Sequence, residues 1–215
     1  MSQSEIIFQT ENMIKEKLSN DFSGHDWFHV NRVRNLALEL GSTEGGDLFI
    51  IELGALLHDI ADWKFNDGSE QVGIELAGNW LDKFNLDKDV INEILQIIKD
   101  ISYKGAGVQT PMKTINGNIV QDADRLDALG AIGIARTFAY GGFAGQSMYD
   151  PAIKVNLHKN FDEYKSLKST SINHFYEKLF LLPDRLNTNM AKSMAKEKIK
   201  FMENFVENFI SDWGN

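Results

Sequence analysis

His58 and Asp59 are adjacent in the sequence and end an apolar run that begins at Leu53. A ring nitrogen and a carboxylate oxygen on neighbouring residues can bind one metal ion together. The apolar run would bury both groups, and burial of a charged group without a partner is costly. The pair alone is a weak signal, so its meaning depends on further ligands elsewhere in the chain.

Two further residues have the side chains that such a site needs. His29 lies near the start of a predicted helix, where three-residue spacing brings Asp26, His29 and Arg32 close to one face. Asp124 lies in an apolar helical segment whose buried side would not tolerate an uncompensated carboxylate. Two histidines and two aspartates from three helices suit Mn, Mg, Fe, Co or Zn and leave positions for water and substrate.

The order His29, His58-Asp59, Asp124 resembles the signature of the HD superfamily of metal-dependent phosphohydrolases. The flanking residues strengthen this resemblance, which extends from residue 24 to about residue 136. The matching stretches are Asp26-x-x-His29-x-x-Arg32-Val33, Leu56-Leu57-His58-Asp59-Ile60 and Asp122-Ala123-Asp124-Arg125-Leu126. The resemblance implies an all-α helical bundle with the metal site in its core, and hydrolysis of phosphate esters or anhydrides by metal-activated water.

Within the superfamily, the chain resembles bacterial stand-alone hydrolases that convert deoxynucleoside triphosphates to monophosphate and pyrophosphate with manganese. Manganese is therefore the expected ion, and Mg, Co, Fe, Ni and Zn stay open. A nucleoside monophosphate phosphatase, or another phosphomonoesterase or phosphodiesterase, is an alternative. A nucleotide- or metal-binding regulator without turnover is an alternative of a different class.

Asp62 is the candidate for proton transfer. It follows Asp59 by three residues and His58 by four, so a continuing helix would keep its carboxylate over the site. An acidic residue at this position assists the attacking water in related HD enzymes. The alternative is an aspartate that faces solvent at a helix end.

Four cationic residues are predicted to bind substrate phosphates: Lys64, Lys104, Arg125 and Arg32. The two arginines have an alternative role, since each could tie helices together through Asp26 or Asp127. These two aspartates are also candidates for orienting the metal ligands.

The remaining histidines are predicted to lie outside the metal site. His25 is expected to neighbour a helix cap, with a contact to substrate or to groups around the metal ligands as the alternative, and His158 and His174 are expected at the surface.

The apolar spacing predicts helices over 5–18, 25–40, 47–60, 71–84, 89–101 and 119–135, and two helices within 172–213 divided near Pro183. We expect one domain over 1–215, in which the C-terminal helices 172–213 pack on the motif-bearing core 24–136. The glycine-rich segment 140–151 is predicted to be a connector, with a lid as the alternative.

Composition limits the remaining classes of protein. The chain has 215 residues, of which 43% are hydrophobic, enough for a globular core. No cysteine is present, which excludes thiolate metal ligands, and the formal charge of -9 argues against binding a nucleic acid polymer. Without a secretion signal or a membrane-length apolar run, we expect a cytoplasmic protein. A homodimer is compatible with the predicted helical surface.

Overall fold

Helices are the only regular secondary structure in the part of the chain that the structure describes. The computed structural model describes residues 1–19, 24–60, 71–166 and 169–214, without the side chains of 164–166. The helices are α1 (Gln3–Lys17), α2 (Trp27–Glu44), α3 (Leu48–Leu57), α4 (Gln71–Leu81), α5 (Lys88–Asp100), α6 (Ile115–Asp127), α7 (Gly130–Phe143), α8 (Phe161–Ser166), α9 (Ser171–Glu177) and α10 (Asn189–Trp213). The predicted all-α fold is thus confirmed.

The chain divides into two compact units. The first unit comprises Met1–Asp21, His25–Ser102 and Thr110–Ala123, and the second comprises Phe22–Gly24, Tyr103–Gln109 and Asp124–Asn215. The expected single domain over 1–215 stays a prediction.

Helix α3 is the centre of the first unit. It packs against α1, α2 and α5, and seven of its ten residues are buried, the exceptions being Leu48, Phe49 and Glu52. A helix that is apolar over most of its surface must be covered on several sides, which explains this central place. Since His58 and Asp59 follow its last turn, the packing of α3 fixes where these two residues lie.

A buried asparagine fixes the other end of α3. Oδ1 of Asn116 on α6 accepts from the backbone N–H of Asp47 at 2.8 Å, and its Nδ2 donates to Oε1 of Glu93 at 2.9 Å. Asp47 caps α3 by accepting from Ile50 N–H. A Cβ on Gly46, whose φ is +106°, would lie 2.6 Å from Oδ1 of Asn116. The sequence at this turn therefore admits little besides glycine.

The second unit has an aromatic core between α7, α9 and α10. Phe138, Phe175, Phe205 and Phe209 lie with ring centroids 5.7–6.4 Å apart, within the range of favourable ring pairs. The C-terminal helix α10 is thus part of the packed core of this unit.

Two helix predictions were wrong at glycines. Helix α2 continues through Gly41 to Glu44, because this glycine permits close packing: an added Cβ would lie 2.9 Å from Cδ1 of Ile51. The segment predicted as one helix over 119–135 is two helices, since the chain breaks at Gly130, whose φ is +75°. A positive φ interrupts a right-handed helix and is readily adopted by glycine.

None of the helices in the described ranges is long and apolar enough to cross a membrane.

The role of Asn116 can be tested by replacing it with alanine. Asn116→Ala removes two part-buried hydrogen bonds, from the N–H of Asp47 and to Oε1 of Glu93, so we expect the free energy of unfolding to fall by about 1–3 kcal/mol. Urea unfolding measures this loss. Asn118→Ala, on the same helix, is the control and should cost under about 0.5 kcal/mol. Equal losses in the two variants would contradict the role assigned to Asn116.

Candidate metal centre

His58 is held by the helix that precedes it. Its ring is buried, and Nδ1 lies 2.8 Å from the carbonyl oxygen of Ala55. A carbonyl only accepts, so Nδ1 carries the proton and Nε2 of the neutral ring keeps its lone pair. An imidazole fixed in this way is a typical metal ligand.

His29 approaches the same point from α2. Asp26 is the N-cap of this helix and accepts from the backbone N–H of His29 at 2.9 Å, which fixes the first turn. The His29 side chain is fully buried, and its Nε2 lies 3.2 Å from Nε2 of His58. Asp26 thus acts on the backbone of His29.

Asp59 completes a triangle of ligand atoms in the first unit. Its Oδ2 lies 3.3 Å from Nε2 of His29 and 3.5 Å from Nε2 of His58. Ligands at about 2.1 Å from an ion, in tetrahedral or octahedral arrangement, lie about 3.0–3.4 Å apart. The three atoms therefore have the spacing of neighbouring ligands on one divalent ion.

His25 directly precedes the cap residue Asp26, as predicted, and it also belongs to this cluster. Its Nδ1 lies 2.7 Å from Oδ2 of Asp59, and with His29 and Asp59 it forms a group able to hold an ion. The side chains of His25 and Asp59 are 18% and 16% exposed, whereas that of His29 is fully buried. Water and ligands can therefore reach the cluster from the His25 side. The four-residue spacing of the two histidines was the signal in the sequence.

The Asp59 carboxyl is ionised. Burial alone would raise its pKa, but the neighbouring imidazoles of His58 and His25 and the hydrogen bond from His25 outweigh burial and hold the pKa well below the usual range. An ionised carboxylate with imidazole neighbours is the form that binds a cation.

Asp124, Asp62 and Lys64 were also predicted to belong to the site. Asp124 is half-buried on α6 and belongs to the second unit, and its role as a ligand stays a prediction. The predictions for Asp62 and Lys64 lie outside the described residues.

The predicted cationic residues are found in different settings. Arg32 is half-buried on α2. Arg125 is buried and donates from Nη1 to the carbonyl oxygen of Arg185, which favours its alternative role in tying the fold together. Asp127 forms an ion pair with Arg136, whose Nη1 lies 3.0 Å from Oδ2 of Asp127.

Lys104 lies in a loop of the second unit. Its Nζ is 5.3 Å from the ring centroid of Phe161, a cation–π distance. The same loop receives a contact from His158, whose carbonyl oxygen accepts from Gly107 N–H at 2.9 Å. His158 is buried, so its predicted surface position was wrong.

Comparisons with a family model, with a related sequence and with solved structures point to the same family. Residues 27–129 match the model of the HD domain. The chain is 36% identical over 186 residues to Bacillus subtilis YpgQ, covering 86% of this chain and 82% of YpgQ. A crystal structure of YpgQ in complex with ADP has a TM-score of 0.76, with 32% identity and coverage of 99% and 97% of the two chains.

Two other crystal structures are similar over nearly the whole chain. A Lactobacillus plantarum protein has a TM-score of 0.90 and 36% identity, with 99% of each chain covered. An HD-superfamily hydrolase of Bacillus thuringiensis has a TM-score of 0.74 and 43% identity, with coverage of 99% and 98%.

Metal binding is tested by thermal unfolding. Saturating Mn²⁺ should raise the Tm of the metal-free protein by several degrees, because an ion at a hundred times its Kd adds about 2.7 kcal/mol of stability. We expect Asp59→Asn and His58→Gln to lose most of this shift. Asp212→Asn makes the same chemical change on the exposed end of α10 and should keep it. An undiminished shift in Asp59→Asn would contradict the assigned site.

Proposed function

Because the chain belongs to the HD superfamily and is a metal-dependent phosphohydrolase, we propose that its substrates are deoxynucleoside triphosphates, hydrolysed to monophosphate and pyrophosphate. The observation that carries the chemistry is the triangle of His29, His58 and Asp59 atoms at metal-ligand spacing. Support for a nucleotide comes from the relative YpgQ, whose crystal structure holds ADP.

The proposed ligand set is His29, His58, Asp59 and Asp124. The first three converge within the first unit, and Asp124 is assigned from its place in the family motif. Mixed imidazole and carboxylate ligands suit a borderline-to-hard ion, and we propose Mn²⁺.

When bound, a divalent ion lowers the pKa of a coordinated water and polarises a phosphoryl oxygen. His25 then has a defined task among the residues of the chain. Its ring donates to Oδ2 of Asp59 and so fixes the orientation of that carboxylate. Asp62, by its sequence spacing from Asp59, is proposed to accept the proton of the attacking water.

Substrate phosphates need cationic partners from the protein. We propose Lys104 and Lys64 for direct contact with phosphate oxygens, and Arg32 as a further candidate. Arg125 already donates to the main-chain carbonyl of Arg185. Its proposed contribution to phosphate binding is therefore its positive charge.

An exposed aromatic side chain directly precedes the predicted ligand His29 in the sequence. Phe28 precedes His29 and is 66% exposed, which differs from the core position usual for an aromatic residue on a helix. A ring at this place is suited to contact the nucleoside part of a substrate, because base stacking needs only an accessible aromatic face.

The reaction is tested by incubating the purified protein with dATP and Mn²⁺ and separating the products. We expect dAMP and pyrophosphate in equal amounts. Asp59→Asn should lower kcat/KM at least about a hundredfold, since a catalytic metal supplies several kcal/mol of transition-state stabilisation. Asp212→Asn is the matched control and should retain the wild-type value.

Other products would identify the alternatives. Release of inorganic phosphate alone would contradict the pyrophosphohydrolase, and phosphate release from dAMP would indicate a monophosphatase. Binding of nucleotide and metal without turnover would indicate a regulator.

A further inference from the structure

The half-buried guanidinium group of Arg185 organises the loop that carries Lys104. Nη1 of Arg185 donates to the carbonyl oxygens of Gly105 at 3.2 Å and Val108 at 2.8 Å, and Nη2 donates to the carbonyl oxygen of Ala106. Three carbonyls from four successive residues thus converge on one side chain. Arg185 itself ends a short 3₁₀ turn, Pro183–Arg185, in the same unit.

The residue before Lys104 is fixed by the same side chain. The Tyr103 ring lies with its centroid 4.9 Å from Cζ of Arg185, and its hydroxyl donates to the carbonyl oxygen of Glu177 at 3.0 Å. Burial raises the pKa of Tyr103, which keeps the phenol protonated as a donor. Lys104 therefore follows an anchored residue.

The residues after Lys104 are fixed on the opposite side. The N–H of Gly107 donates to the carbonyl oxygen of His158, and a Cβ on Gly107 would lie 2.7 Å from the carbonyl oxygen of Lys159. Gly105 has a φ of +110°, a conformation that glycine adopts without strain. Both glycines are thus required for the close approach of this loop to residues 158–160.

The contacts with Arg185 also orient the peptide dipoles of the loop. The carbonyl of one residue and the N–H of the next point in opposite directions across a planar peptide. With the Gly105 and Val108 carbonyls turned to Arg185, the N–H groups of Ala106 and Gln109 point away from it. Within the described ranges these two N–H groups donate to no protein acceptor. Lys104 and outward-pointing amides are the composition of an anion-binding loop.

We propose that Arg185 is a positioning residue that holds Lys104–Gln109 as a preformed binding loop for substrate phosphate, without itself contacting the substrate. This inference rests on the proposed function, because Lys104 is assigned there to phosphate. Phosphate affinity then depends on a guanidinium that donates its hydrogen bonds to backbone carbonyls of the protein.

Arginine is specifically suited to this task. Its planar group presents five donors in a fixed arrangement, whereas lysine presents three donors on one compact nitrogen. Lysine at position 185 keeps the charge but cannot reach three diverging carbonyls in one plane. Arg185→Lys therefore keeps the positive charge at this position but removes the arrangement of hydrogen-bond donors.

A double-mutant cycle tests the proposal with Lys104→Gln, Arg185→Lys and the combined variant. KM and kcat are measured for dATP with Mn²⁺, and Kd for ADP is measured by calorimetry. We expect each single change to raise KM and Kd about tenfold, the size of one charged hydrogen bond, with kcat changed less. In the combined variant the loss of binding free energy should be clearly smaller than the sum of the two single losses, because both changes act through the same loop.

The control is Arg34→Lys. Arg34 also joins three elements through part-buried contacts, with Glu11 on α1 and Glu52 on α3, but in the first unit. This variant should leave KM and Kd near the wild-type values. Hydrogen exchange of the peptide covering Tyr103–Gln109 should speed up in Arg185→Lys and not in Arg34→Lys, which reports on the loop independently of turnover.

The outcomes separate the two proposals. Additive effects of the two substitutions, or unchanged exchange in Arg185→Lys, would overturn the positioning role while leaving the hydrolase assignment intact. Wild-type protein that binds ADP without hydrolysing dATP would contradict the proposed function, and the cycle in Kd would still decide the role of Arg185. Wild-type protein that neither binds ADP nor hydrolyses dATP would overturn both.

Discussion

The structure depends on the need to compensate one carboxylate at the end of a buried helix. Asp59 follows α3, which is mostly apolar and buried, and its Oδ2 is approached by nitrogens of His25, His29 and His58 within 3.5 Å. Without partners, a charge at this place would cost several kcal/mol. The three imidazoles lower that cost, and a cation bound to two of them would supply the remaining compensation. The same arrangement that solves a stability problem thus creates a metal site.

Several hydrogen bonds in the first unit fix the positions of the ligand atoms of His29, His58 and Asp59. Asn116 and Asp47 fix the start of α3, while Asp26 fixes the first turn of α2. The Ala55 carbonyl then selects the tautomer of His58. In the second unit, three main-chain carbonyls instead accept hydrogen bonds from the half-buried guanidinium of Arg185. In each case hydrogen bonds hold a helix end, a side chain or a loop in a fixed position. A site held in this way can bind a ligand without first reorganising.

The sequence predicted the residues whose role follows from type and spacing. His29 and the His58-Asp59 pair were found this way, and the three ligand atoms do converge. His25 was missed because its task depends on the distance to a carboxylate 34 residues away, and no local pattern encodes that distance. The break at Gly130 was missed because apolar spacing continues across it. Arg185 gave no signal at all, since its partners are backbone carbonyls that any sequence possesses.

The central claim is that His29, His58 and Asp59 bind one divalent ion. Anomalous diffraction from crystals grown with Mn²⁺, recorded at the manganese edge, tests it most directly. The account predicts a peak within about 2.0–2.3 Å of Nε2 of His29, Nε2 of His58 and Oδ2 of Asp59. An ordered site without a peak at saturating Mn²⁺, or a peak bound only by other residues, would contradict it.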